Sequence, residues 1–450
     1  MAPATAPTVQ QSNTEWLPPG YQVSAQFRDV FVPLILFYSI LLPAGLAVNL
    51  SGVVISPYRM AALVLMPFAI RRMIALKMTP NLPDVMIFLG SIWALAAMLA
   101  VSPLREGLEG GGSFVIDGFG SYLVGRAYMT DARKVRTFLL GALPGVLGIA
   151  AILTIESITH TLLVAPLFPD ASNIGLYKAY ETRMGLLRAR AVFPHSIAAG
   201  MFMASLVPLY FLSRLPTRTK YLGFVASAIG AFFSVSSSAF LTLLLQFGLI
   251  SYRTFWTRLL GMRERLGYLL IAVVFLYVTL DLASEGGAIK VIIKYASLNP
   301  QTGYYRLLIW EYGTLSVANN PWFGIGNAYM PRLDWMVMDT IDNHWLMLAV
   351  KYGLPSAILI GLGVVVAIWM CVARNLRLND FDRATTNGVV FALAGLWLVA
   401  WTSALWANHV SWFMMLVGVV SALIHQLPES ANQKSRPTVE LKPIAQRRSA

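Results

Sequence analysis

The sequence predicts an all-α polytopic membrane protein of about twelve transmembrane helices, and three observations predict it. First, 57% of the residues are hydrophobic and only 12% charged, against about a quarter charged in an average soluble domain. Second, mean hydropathy is +0.64, and apolar runs of about 20 residues, the length that crosses the hydrocarbon of a bilayer, recur along nearly the whole chain. Third, every second short loop between those runs is basic.

Residues 1–30 precede the first run and read as a disordered tail. They lack the basic n-region and small-residue cleavage site of a secretory signal. The spans then fall near 31–50, 57–75, 83–101, 108–128, 137–155, 195–213, 220–236, 238–252, 267–281, 354–373, 386–404 and 408–426. Residues 427–450 form a second, basic tail. The single cysteine, Cys371, lies inside a span, so no internal disulfide and no cysteine-based metal site exists, and a small buried apolar role suits it.

The net charge of +13 is explained by where the cations sit. Arg71, Arg72 and Lys77 follow the second span, Arg133, Lys134 and Arg136 the fourth, Arg214, Arg218 and Lys220 the sixth, Arg253, Arg258, Arg263 and Arg265 the eighth, and Arg374, Arg377 and Arg383 the tenth. The intervening short loops are nearly free of Lys and Arg. This is the positive-inside pattern with both termini cytoplasmic, and cations near anionic lipid account for the high pI without nucleic acid.

Two long loops, 156–194 and 282–342, then face outward. Both carry cations: Lys178, Arg183, Arg188 and Arg190 in the first, Lys290, Lys294, Arg306 and Arg332 in the second. Long loops translocate regardless of charge, so these residues point to an external anionic partner. Arg183, Arg188 and Arg190 lie just before His195 and the sixth span. Their planar forks suit phosphate oxygens, and lipid head groups are the plainer alternative. His195 reads equally well as an interfacial histidine.

In the second loop, residues 289–298 suggest an amphipathic helix lying on the bilayer. A helix over residues 305–318 carries Arg306, Trp310 and Glu311, and Pro321 breaks it. Gly324 and Gly326 read as a turn in preference to a phosphate cradle. Asp342, Asn343 and His344 mark re-entry to the membrane. A carboxylate and an imidazole at a cavity mouth can accept a proton from a hydroxyl, while Asp342 also fits a helix N-cap. Asp380 and Asp382 form a DxD on the basic side, where a structural role suits them best. Asp117, inside the fourth span, is either functional or the mark of a misdrawn boundary. The turns Ser234–Ser238 and Trp406–Trp412 complete the outer face, with His409 fitting an aromatic belt.

Together the late outer loop, the pair Arg306 and Trp310, the PWFGIGN turn and the Asn343 helix followed by Tyr352-Gly353-Leu354-Pro355 resemble the O-antigen ligase and O-antigen polymerase superfamily. The segment RARAVFPHSIAAG before the sixth span is similar to its exopolysaccharide polymerase branch. The resemblance covers nearly the whole chain in topology and a small part of it in specific motifs. It implies a GT-C-like glycosyltransferase architecture at the periplasmic face of the bacterial inner membrane. It also implies an undecaprenyl-pyrophosphate-linked glycan as donor, a glycan or lipid A-core as acceptor, no cofactor or metal, and a chain-length co-polymerase as a candidate partner. Arg190 and Arg306 would hold the pyrophosphate, with Arg183, Arg188, His195 and Asn343 as further contacts. Two departures stand out. Asp342 occupies the place of the usual histidine, leaving Asp342 or His344 as base, and Ala239 stands where many members have arginine.

Three functions are compatible with this reading: a polymerase of repeat units, a ligase of finished polymer, and a secondary transporter, which would also have twelve spans. The halves differ in loop length and the charges gather outside, which disfavours the transporter. The PHSI segment favours the polymerase.

Overall fold

The computed structural model describes residues 25–50, 53–168, 181–262, 275, 278–284, 287, 291 and 300–426 except 334, 337–339, 376 and 407. Most of the predicted terminal tails, of the span at 267–281 and of the amphipathic stretch 289–298 lies outside them.

In chain order the helices are α1 (Phe31–Ile40), α2 (Pro57–Ala75), α3 (Leu82–Val101), α4 (Leu104–Phe114), α5 (Ser121–Tyr128), α6 (Ala132–Thr159), α7 (Ser196–Leu212), α8 (Thr217–Phe233) and α9 (Ser237–Thr254). After the second loop come α10 (Pro300–Asn319), α11 (His344–Tyr352), α12 (Leu354–Asn375), α13 (Asp380–Val399) and α14 (Asn408–Leu423). Of these, α3, α6 and α12 are long and apolar enough to cross a bilayer, and α1, α7 and α14 are shorter apolar helices. The architecture is that of an all-α membrane protein.

Several boundaries differ from the hydropathy reading for identifiable reasons. The run at 31–50 is helical only to Ile40, because Pro43 cannot continue the hydrogen-bond ladder. The chain then forms an antiparallel hairpin, Val48–Leu50 (β1) with Val53–Ile55 (β2), in register Val48 opposite Ile55. The run at 108–128 is two helices, α4 and α5, joined by a π-helical turn over Val115–Gly120 that carries Asp117. Such turns collect at functional positions.

Interior contacts are tight, and a buried ion pair lies among them. α5 and α14 cross where a Cβ on Gly125 would sit 2.2 Å from the Met415 carbonyl oxygen and one on Gly418 2.0 Å from that of Tyr122. Glycine is required at such a backbone approach. Asn81 caps α3 in a reciprocal box with Asp84. Asp84 also accepts from fully buried Arg126 at 2.9 Å and from the Tyr122 hydroxyl. Asp84→Ala would strand the Arg126 charge, and a loss of about 3–5 kcal/mol is expected, read as a lowered unfolding midpoint in detergent.

One group of helices positions the site. α7, α9 and α13 pack against one another, and each runs from the His195, Ser237 and Ala400 end to the Leu212, Arg253 and Asp380 end, about 25–30 Å at 1.5 Å per residue.

Candidate functional site

The first long loop is anchored by one carboxylate. Glu156, in the last turn of α6, is completely buried, and its oxygens accept the amides of Leu163 (2.9 Å), Arg190 (3.0 Å) and Ala191 (2.9 Å). Charge-assisted bonds of this kind are among the stronger ones. The chain returns through a two-residue hairpin, Thr182–Arg183 (β3) with Leu186–Leu187 (β4). Its turn residues Met184 and Gly185 both have positive φ, as the favoured hairpin turn demands. Arg183 donates to Ser237 Oγ at the start of α9 (3.0 Å), and Arg188 pairs with Glu181. Arg190 is buried. His195 caps α7, its Nδ1 accepting the Ile197 amide at 3.1 Å.

The second loop supplies the facing half. Arg306, on the first half of α10, is 7% exposed and donates through Nε to Asp342 Oδ2 at 3.2 Å. Its Nη1 is buried with no hydrogen-bond partner among the described residues. The cap of α11 is Asn343, which accepts the Leu346 amide (2.9 Å) and donates to the Trp401 carbonyl (2.7 Å). The alternative of Asp342 as N-cap is therefore corrected: Asp342 lies one residue outside the cap, which frees its carboxylate for Arg306. The amides of Ile325 and Gly326 donate to the carbonyls of Val350 (2.8 Å) and Lys351 (3.1 Å). With Gly324 and Gly326 at φ +65° and +62°, this glycine pair is a turn clamped to α11.

The charges of the two loops lie close enough to act on one another. The Arg183 guanidinium is held below its ordinary range by partial burial first, then by the charge of Arg188, against an offset from Glu181 and with Arg306 adding to it. The His195 imidazole, outside the α7 helix, is lowered to about 4 by burial and then by Arg188, with Arg190 adding to it against the offset from Glu181. Between about pH 6.5 and pH 4 an unfolded chain carries a proton on His195 that the folded chain lacks. Stability should therefore fall as pH drops through that window, which unfolding midpoints measured across it would check.

His344 points elsewhere. It is 2% exposed, and burial lowers its pKa to about 3, with His409 adding to the effect. Nδ1 accepts the Leu405 amide at 3.4 Å. In a neutral imidazole so engaged, the proton sits on Nε2, which is then a donor. His344 lines a cavity of about 430 Å³ with Arg59, Glu106, Glu109, Asp117 and Trp406. Trp406 in turn packs edge-on against His195, 6.0 Å between ring centres.

The Arg59–Asp117 pair, bonded at 2.8–3.2 Å, is absent from the sequence reading. Asp117 was the visible half of it. A cation placed in another apolar run was the signal to match to it. The buried Ala239 lies so close to Gly200 that a Cβ there would come within 2.4 Å. Ala239 is thus packed in the first turn of α9, and Arg183 brings a cation to Ser237 two residues before it. The DxD carboxylates are engaged structurally, Asp380 with Arg383 (2.7 Å) and Asp382 with Arg136 (3.0 Å). Among the described residues no group of three or more His, Cys, Asp or Glu side chains is placed to hold a metal ion.

Residues 222–361 match the family model described as O-antigen ligase. The match contains α10, Arg306, Asp342 and α11, and it supports the O-antigen ligase and polymerase superfamily and a glycan transferase of that type. No curated protein matches the chain significantly.

Proposed function

We propose that the protein transfers a glycan from undecaprenyl pyrophosphate to a sugar hydroxyl by a single inverting displacement at the outer face of the inner membrane. The observation that carries this reading is the Arg306–Asp342 pair of the second loop, whose arginine lies close enough to Arg183 of the first loop for their charges to interact. The acceptor oxygen forms its bond to the anomeric carbon as the bond to the pyrophosphate oxygen breaks. The leaving pyrophosphate keeps the electron pair and is held by Arg306, with Arg183, Arg188 and Arg190 nearby, and Asp342 takes the hydroxyl proton. Pyrophosphate leaves readily, so the protein's task is orientation and stabilisation of the departing charge. Arginines do this better in a site of low dielectric than in water.

The acceptor is proposed to be another lipid-linked repeat unit, making the enzyme a polymerase of exopolysaccharide or O-antigen. The PHSI segment opening α7 supports this. The description of the matched family favours the second reading, transfer to lipid A-core. Purified protein given lipid-linked repeat unit alone should release undecaprenyl pyrophosphate and lengthen the glycan. Release only when lipid A-core is added would establish the ligase instead, and no release with either acceptor would reject both. The new linkage should carry the anomeric configuration opposite to the donor's, as read by NMR.

Orientation rests on the charge pattern of the loops. Reporter fusions after Ala171 and after Asn299 should report the periplasm, and fusions after Lys77, Arg218 and Arg377 the cytoplasm. A cytoplasmic signal from either long loop would remove the outer-face site.

A further inference from the structure

We propose that the opposite end of α7, α9 and α13 holds a second site, one that binds a phosphate group carried by a lipid headgroup or by a soluble phosphate. A cavity of about 240 Å³ lies there, lined by Arg214, Lys220, Arg253, Arg258, Arg383 and Asp380 among others. That is room for several waters or for a phosphate group. Five cationic side chains thus face one carboxylate among the described lining residues. Like charges brought together at helix ends repel unless an anion joins them.

The placement of each cation is built into the fold. Arg214 follows the end of α7. Lys220 sits in the first turn of α8, with its ammonium over the rings of Phe211 (4.6 Å) and Tyr221 (5.4 Å). Arg253 ends α9, and the π-helical turn Phe255–Leu259 that continues it carries Arg258. Arg383, in the first turn of α13, is 4% exposed and is joined to Asp380, whose own side chain is 70% exposed. Asp380 thus leans to solvent, and Arg214 and Arg258 add exposed cations to the lining. The basic loops predict that this end is cytoplasmic, where anionic lipid concentrates.

Nothing in the glycan transfer uses this cavity. It lies a helix length from Arg306, so the transferase reading and this site stand or fall separately. The full chain, purified in detergent, would be titrated with dioleoyl phosphatidylglycerol against dioleoyl phosphatidylcholine, and separately with inorganic phosphate against chloride at equal ionic strength, following the unfolding midpoint. The wild type should be stabilised in at least one anionic arm. Arg214→Gln/Arg258→Gln removes two exposed cations, with little burden on folding, and should weaken the apparent affinity about tenfold or more, one charge-assisted contact being worth that much. Arg71→Gln/Arg377→Gln, which removes equal charge elsewhere on the same end, should not. A response to phosphatidylglycerol alone assigns a lipid headgroup, and a response to phosphate assigns a soluble ligand. No shift in either arm, a shift that survives in Arg214→Gln/Arg258→Gln, or an equal loss in both double variants would overturn the site.

Discussion

Arg306→Lys is expected to lower undecaprenyl pyrophosphate release by tens- to a hundredfold while the protein accumulates in the membrane at normal levels. Arg306 uses Nε to hold Asp342 and keeps Nη1 buried without a hydrogen-bond partner among the described residues. A donor pyrophosphate would meet that second nitrogen. Lysine retains the charge but has one compact ammonium, which cannot bond a carboxylate and a phosphate in fixed fork geometry. One lost charge-assisted bond, about 2–3 kcal/mol, corresponds to that range of rates. Arg190→Lys should act in the same direction. Near-normal turnover in both variants would mean that these arginines only touch lipid head groups.

Asp342→Asn should abolish transfer, with a loss of about 10²–10⁴-fold in kcat, while His344→Gln should be milder. The geometry separates the two. Asp342 precedes the cap of α11 with one oxygen on Arg306, leaving the other for a hydroxyl. His344 is the first helical residue, buried, with Nδ1 turned to the Leu405 amide. Glutamine can still accept the Leu405 amide, so its cost is that of an imperfect hydrogen bond, about 1 kcal/mol. Donor affinity should survive in Asp342→Asn, because the arginines remain, so KM for the donor should move little. If His344→Gln is inactive and Asp342→Asn retains turnover, the imidazole is the base.

The sequence was most readable where one rule governs one segment. Pro321 ends α10, and the two glycines after it take the left-handed turn their freedom allows. Residues 83–101 were legible as a helix to within a residue from apolarity alone, and the Asn81 cap that starts it was found only in the structure. At 31–50 hydropathy overruled Pro43 in the reading but not in the chain, since a missing backbone donor acts locally whatever the average polarity. Asp342 was considered as the cap and Asn343 was not, although both residue types cap well and only the register decides. The partnership of Arg183 with Ser237, or of Arg59 with Asp117 58 positions away, depends on tertiary folding that periodicity does not encode.

Because Glu156 receives amides from both Leu163 and Arg190, the two limbs of the first long loop close on a single side chain. A single carboxylate therefore sets the position of both limbs at once. Glu156→Ala would release the Leu163, Arg190 and Ala191 amides together, so the arginine would lose its anchor even though its own side chain is untouched.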